Sequence, residues 1–242
     1  MRLNVVGCSP AWPNPGGAQS GYLVEDGGRL LLDCGPGVLA RLRMKHGAWP
    51  RVDAIVLTHF HLDHWGDVVP WVWGTMYGLG ADLERPELWV HPRGAALLTE
   101  IGARLGFPEM FEQAFVLRSY EEDSPFEAAG LRVTARRVPH YRMEAYAFRV
   151  EGDGRSLAYS GDSGPGPALA EVARDADLFL CEATIGPTNP DPDELRGHLS
   201  AEEARAAFEA SGAARLLLTH RPIEQPLPPG FELVHDGYQT DV

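Results

Sequence analysis

His59-Phe60-His61-Leu62-Asp63-His64 places three imidazoles and a carboxylate within six residues, directly after the apolar run Ala54–Thr58. Where a strand turns into a loop, alternate side chains can face one ion while the next pair faces a second, and imidazole with carboxylate suits zinc. A solvated histidine cluster is the competing reading. Three more residues at the ends of strand-like runs bear on the choice: His140 closes Leu131–Pro139, Asp162 follows Ala158–Gly161, and His220 follows Leu216–Thr219. Active sites of αβ proteins gather at such positions. Taken singly each has an ordinary use, and Gly161-Asp162-Ser163 is also a plain turn signal. Together with the nest they form a candidate ligand set.

Outward from the nest, short apolar runs between Gly and Pro punctuation predict strands at Leu3–Val6, Tyr22–Glu25, Arg29–Asp33, Ala54–Thr58, Glu87–Val90, Leu131–Val138, Ala145–Val150, Leu157–Ser160, Leu178–Cys181 and Arg215–Thr219. Helical patterns occupy Val38–His46, Asp67–Tyr77, Gly94–Leu105, Pro167–Arg174 and Ala201–Ala210, the last opened by a Ser200/Glu203 capping box. Strands adjoin at the start and middle and alternate with helices elsewhere. That order suits mixed sheets covered by helices better than a purely parallel doubly wound sheet. Surface loops are expected over Ser9–Ser20, Gly186–Gly197 and the Pro-rich Arg221–Gly230.

The 242 residues, 44% hydrophobic, fit one domain spanning 1–242 with a substantial core. Thirty-four acids against 21 bases give −13, which removes the bulk attraction by which most nucleic-acid binders hold long phosphate backbones. Cys8, Cys34 and Cys181 form no CxxC pair, arguing against a disulfide framework and a cysteine zinc site. No stretch approaches the roughly 18 apolar residues of a spanning helix, and Met1–Cys8 enters a strand without a leader pattern. These features read as a cytoplasmic protein without membrane partners.

The ordered set Asp33 in Leu31-Leu32-Asp33-Cys34-Gly35, then His59-x-His61-x-Asp63-His64, His140, Asp162 and His220, resembles the metallo-β-lactamase-fold hydrolases over nearly the whole chain. The resemblance implies an αββα sandwich of two mixed sheets flanked by helices. It implies one metal held by His59, His61 and His140, a second by Asp63, His64 and His220, and Asp162 bridging both. Two zinc ions are expected, with manganese or iron as alternatives, and Asp33 would orient the ligand loop without touching metal.

Cys181-Glu182-Ala183-Thr184-Ile185 and Gly197-His198-Leu199-Ser200 resemble the ribonuclease Z-like phosphodiesterase branch, with Leu199 where that branch often has a small hydroxyl residue. His198 could then offer a proton or hydrogen bond to a phosphate, supported by Glu182, with Asp63 orienting a metal-bridged hydroxide. In bacterial ribonuclease Z the tRNA-clamping arm is inserted between the positions matching His140 and Asp162; Tyr141–Gly161 leaves room only for a hairpin. The substrate expected is therefore a small phosphodiester, a nucleotide or an RNA end, with a homodimer compatible with the sequence. A lactonase or thioesterase is the first rival, because the same hydroxide attacks a carbonyl. The short segment after His220 is too small for the helical domain of a glyoxalase II-like thioesterase. A non-catalytic metal-dependent binding protein is the second rival, and would be expected to lack ligands. Arg136, Arg137 and Arg142 offer a local anion contact or a solvated face, Trp65, Trp71, Trp73 and Tyr77 a cleft wall or core, and His91 a group behind the ligands.

Overall fold

In the computed structural model, which describes residues 1–46, 49–186 and 196–242, two sheets face one another. The first runs in spatial order β13 (Gln239–Asp241), β1 (Arg2–Gly7), β2 (Gly21–Asp26), β3 (Gly28–Leu32), β4 (Ala54–Val56), β5 (Glu87–Val90) and β6 (Val116–Ser119). The second runs β12 (Leu216–Thr219), β11 (Leu178–Glu182), β10 (Arg155–Tyr159), β9 (Met143–Gly152), β8 (Leu131–His140) and β7 (Phe126–Ala128). β3 to β6 pair in parallel, as do β10 to β12, and the other neighbours are antiparallel, so both sheets are mixed.

Strand periodicity sorts the apolar side chains into layers. Leu30 and Leu32 of β3 and Leu178 and Leu180 of β11 point between the sheets, where they meet Val24, Val56, Val133, Phe148 and Val150. Their neighbours point outward. Leu31 packs under α1 (Val38–His46), α3 (Val68–Tyr77), α4 (Gly94–Arg104) and α5 (Met110–Ala114), beside Val38, Trp71, Leu98 and Phe111. Phe179 and Cys181 pack under α6 (Pro167–Val172) and α7 (Ala201–Ser211), beside Leu169, Val172 and Ala204. The result is the expected αββα sandwich. No described helix is long and apolar enough to cross a membrane.

Three strands lie outside the sequence-based expectation: β6 and β7 at two sheet edges and β13 at a third. The pattern expected over Asp67–Tyr77 begins at Val68 and is preceded by a separate one-turn helix, α2 (Leu62–Trp65), made by the ligand nest itself. Within the loop expected over Gly186–Gly197, residues 187–195 lie outside the described residues.

The C-terminal ends of the parallel strands and of β8 share one rim, where ligand sites of αβ sheets form. Close backbone packing holds the nest there. Cys34 N–H donates to the His64 carbonyl at 2.7 Å and Ser20 N–H to the Asp63 carbonyl at 3.1 Å. Gly35 lies against that same carbonyl so tightly that a Cβ would come within 1.9 Å of it, so only glycine fits beneath the nest.

Candidate metal centre

β3 ends at Leu32, and Asp33 turns away with φ 60°, a left-handed conformation that Asp tolerates better than most residues. Its buried carboxylate accepts from Thr58 N–H at 2.8 Å, the Thr58 hydroxyl at 3.0 and 3.1 Å, and the Tyr159 hydroxyl at 2.8 Å. The fourth donor is His64 Nδ1–H at 2.7 Å. Asp33 therefore fixes the ring of His64 with Nε2 directed away from it.

The predicted ligands fall into two groups. His59, His61 and His140 bring one ring nitrogen each together, and Asp63, His64, Asp162 and His220 form a second group, with the ligand atoms of each group within 4.8 Å of one another. In the first, His140 Nδ1–H donates to the Gly197 carbonyl at 2.6 Å, which leaves Nε2 as an acceptor 2.8 Å from His61 Nδ1. Tyr141 closes this corner: a Cβ at Gly197 would lie 2.4 Å from its ring. In the second, His220 Nε2 stands 3.1 Å from Asp63 Oδ2.

Asp162 stands between the groups. Its Oδ1 is 3.2 Å from His64 Nε2 and 3.5 Å from His220 Nδ1, whereas its Oδ2 is 4.0 Å from His59 Nε2 and 3.9 Å from His140 Nε2. One oxygen thus faces each group. The proximity of Asp162 Oδ1 to His64 Nε2 is not an aligned hydrogen bond. Both atoms, with His59 Nε2, are buried without a hydrogen-bond partner among the described residues. Three inward-facing orphan atoms in one nest are what a cation would satisfy, so the residues fit bound metal.

Electrostatics point the same way. Burial, reinforced by His64, holds the His59 imidazole well below its ordinary pKa, and burial takes His140 down to about 4 against the pull of Asp162. Burial also lowers His61. The first group is therefore neutral and ready to ligate. Burial would lower His64 too, but Asp162, Asp33 and Asp63 together raise it well above the ordinary value. Burial likewise opposes ionisation of Asp63 and Asp162, yet their histidine neighbours keep both well below the carboxylate range. The second group is an acidic pocket whose carboxylates favour positive charge at His64, from a proton or from a bound cation.

The Ser200 capping box sets the start of α7: Ser200 Oγ accepts from Glu203 N–H at 3.3 Å and Glu203 Oε2 from Ser200 N–H at 2.8 Å. Leu199 is buried in the core beneath α6 and α7, which accounts for an apolar residue there. His198 faces the centre beside His140 and Tyr141. Its Nδ1 lies 3.0 Å from Glu182 Oε1 and 3.8 Å from Asp162 Oδ2. Burial opposes its charge, but Glu182 and then Asp162 raise its pKa to about 9. The His198 side chain keeps 13% of its exposure and Glu182 none, so a substrate could touch the histidine and not the carboxylate.

Other candidates fall outside the centre. Trp65 and Trp71 belong to the helix-side core, and exposed Tyr77 stacks on Trp73. Arg136 is engaged by Asp123 and Glu171, whereas Arg137 and Arg142 are exposed. His91 sits behind Phe60, accepting from Arg93 N–H at 3.2 Å, and joins neither group. Tyr159, Thr58 and the Thr184 hydroxyl carry connections that sequence reasoning did not assign. Thr184 lies in the quoted Cys181–Ile185 motif, whereas the signal for Thr58 and Tyr159 was a hydroxyl residue at or just beyond the end of a strand.

This arrangement, an αββα sandwich with paired imidazole–carboxylate groups on one rim, defines the protein as a metallo-hydrolase. Residues 28–221 match the family model for the beta-lactamase superfamily domain, and the chain belongs to that family. It is 34% identical to the uncharacterized protein ML1173 of Mycobacterium leprae, over 92% of this chain and 78% of that protein. It is 29% identical to the probable metallo-hydrolase YhfI of Bacillus subtilis, over 92% of this chain and 87% of that one. The crystal structure of YhfI, described as a metallo-beta-lactamase fold protein, superposes with a TM-score of 0.84 at 24% identity, covering 99% of both chains. Ribonuclease Z of Mycobacterium marinum is 28% identical over 91% of this chain and 86% of its own. Similarity alone therefore does not single out the ribonuclease Z branch.

Proposed function

We propose that residues 1–242 act as one catalytic domain, a two-metal phosphodiesterase for small phosphodiesters, nucleotides or RNA ends, similar to the ribonuclease Z-like branch. His59, His61 and His140 would hold one ion, Asp63, His64 and His220 a second, with Asp162 shared; zinc suits these donors, and manganese or iron are compatible. Such ions, when bound, supply an acidified water and positive charge for the phosphoryl oxygens. The observation that carries the phosphodiester reading is His198, beside both groups and held on Nδ1 by Glu182 at 3.0 Å. Nδ1–H is committed to Glu182, so Nε2–H is the proton that can meet a departing or non-bridging oxygen. Glu182 acts through His198 as a positioning residue. Asp63, beside His220 and His64, adds negative charge that favours a bound cation and can orient a water.

Only Tyr141 and Arg142 connect β8 to β9, which supports a substrate needing no long docking arm at that position. The test is hydrolysis of bis(p-nitrophenyl) phosphate beside a thioester and a lactone, each with zinc and with manganese. Preferential turnover of the phosphodiester is expected. Turnover confined to the thioester or the lactone would replace this reading with a carboxylic ester hydrolase.

A further inference from the structure

Two buried threonines outside the ligand set make the same connection, each two residues beyond a strand of a different sheet, β4 for Thr58 and β11 for Thr184. Thr58 Oγ1 lies 3.0 and 3.1 Å from the Asp33 oxygens and 2.9 Å from His59 Nδ1. It is also 3.4 Å from His64 Nδ1, which Asp33 already holds at 2.7 Å. Thr184 Oγ1 lies 2.6 Å from Glu182 Oε2, 2.8 Å from His220 Nδ1 and 2.9 Å from the His220 carbonyl.

A hydroxyl has one proton, and an ionised carboxylate only accepts. Glu182 also receives N–H groups from Ser163 at 2.8 Å, Thr184 at 3.1 Å and Leu199 at 3.3 Å, an environment that suits an acceptor. Once each threonine gives its proton to the carboxylate, its oxygen must accept from the imidazole. Nδ1 then carries the hydrogen and Nε2 presents its lone pair. For His59 that Nε2 is a buried orphan, and for His220 it stands beside Asp63.

We infer that Thr58 and Thr184 are positioning residues, each fixing the metal-binding tautomer of one ligand in a different group: Thr58 for His59, Thr184 for His220. The inference rests on the two-ion reading of the site. It divides labour between the sheets, because Asp33 holds His64 directly and His59 through Thr58, while Glu182 holds His198 directly and His220 through Thr184. Each relay ends on a ligand of a different group, so each would serve a different ion.

The test uses zinc alone as probe, with affinity measured on the full chain by competition against a chromophoric chelator and folding checked by circular dichroism. Val keeps the branched shape of Thr and removes the hydroxyl. In a His61→Ala background, where the second group remains intact, Thr184→Val should weaken zinc binding by about 10–100-fold and Thr58→Val by less, because Thr58 reaches that group only through the carboxylate that holds His64. In an Asp63→Ala background the pattern should reverse. Thr184→Ser and Thr58→Ser, which restore the hydroxyl, should recover the affinity. The inference is overturned if folded Val variants bind zinc like their backgrounds, if both weaken both groups alike, or if Ser fails to rescue. A parent protein that binds no zinc would instead overturn the two-ion reading.

Discussion

Asp33→Asn removes one charge and almost no volume from a fully buried side chain. Asn is common at positive φ, so the turn at 60° adds little strain, whereas Ala would add about 1–2 kcal/mol. The cost comes from the donors. With its amide nitrogen at the Oδ2 position, Asn would oppose His64 Nδ1–H; with it at the Oδ1 position, it would oppose Thr58 N–H while the Thr58 hydroxyl turns to accept. The second arrangement costs less and leaves one buried N–H unsatisfied, about 1–3 kcal/mol, besides weakening the bonds from His64 and Tyr159 that lose their charged acceptor. A total of about 2–4 kcal/mol should lower Tm by on the order of 10 °C in a chain of this size. Thermal unfolding followed by circular dichroism, with chelator and again with zinc, measures this. Zinc affinity should fall at both groups, because Asp33 serves a ligand in each. A variant melting within about 2 °C of the parent and binding zinc normally would refute the view that Asp33 organises the nest.

Asp162→Ala should abolish turnover and reduce zinc content, since the carboxylate facing both groups is lost, while circular dichroism shows a folded chain; full metal content with substantial activity would remove Asp162 from the centre. His198→Ala should lower kcat by about 10²–10⁴ and spare the metal. The deficit should shrink with a nitrophenolate leaving group and persist with an alkoxide; equal losses on both would assign His198 to charge stabilisation instead of proton donation. Glu182→Gln should reproduce that leaving-group pattern more weakly, and a loss confined to KM would contradict its link to His198.

The central strands and the ligand nest were legible because their signals are local. Leu30–Leu32, Leu157–Tyr159 and Leu178–Cys181 are buried on both faces and read as continuous apolar runs, and α1 and α7 carry their own periodicity or cap. β7 and β13 are three residues each, and Val116–Ser119 ends in Arg and Ser, so these edge strands carry no alternation to detect. The predicted ligands do meet on one rim. The groups that orient them were hidden because their bonds cross the fold: Tyr159 reaches Asp33 from 126 positions away, and Thr184 meets His220 across 36. The left-handed turns at Asp33 and His220 also have no announcement in the residues around them. They follow from the packing of the rim.

Phosphodiester turnover measured against zinc equivalents, added to chelator-stripped protein, tests most directly whether the two groups form one hydrolytic centre. Activity on bis(p-nitrophenyl) phosphate should rise with added zinc and level off at two equivalents per chain. A plateau at one equivalent, with Asp63, His64 and His220 unliganded, would contradict the two-metal centre, and turnover undiminished by stripping would contradict metal-dependent hydrolysis itself.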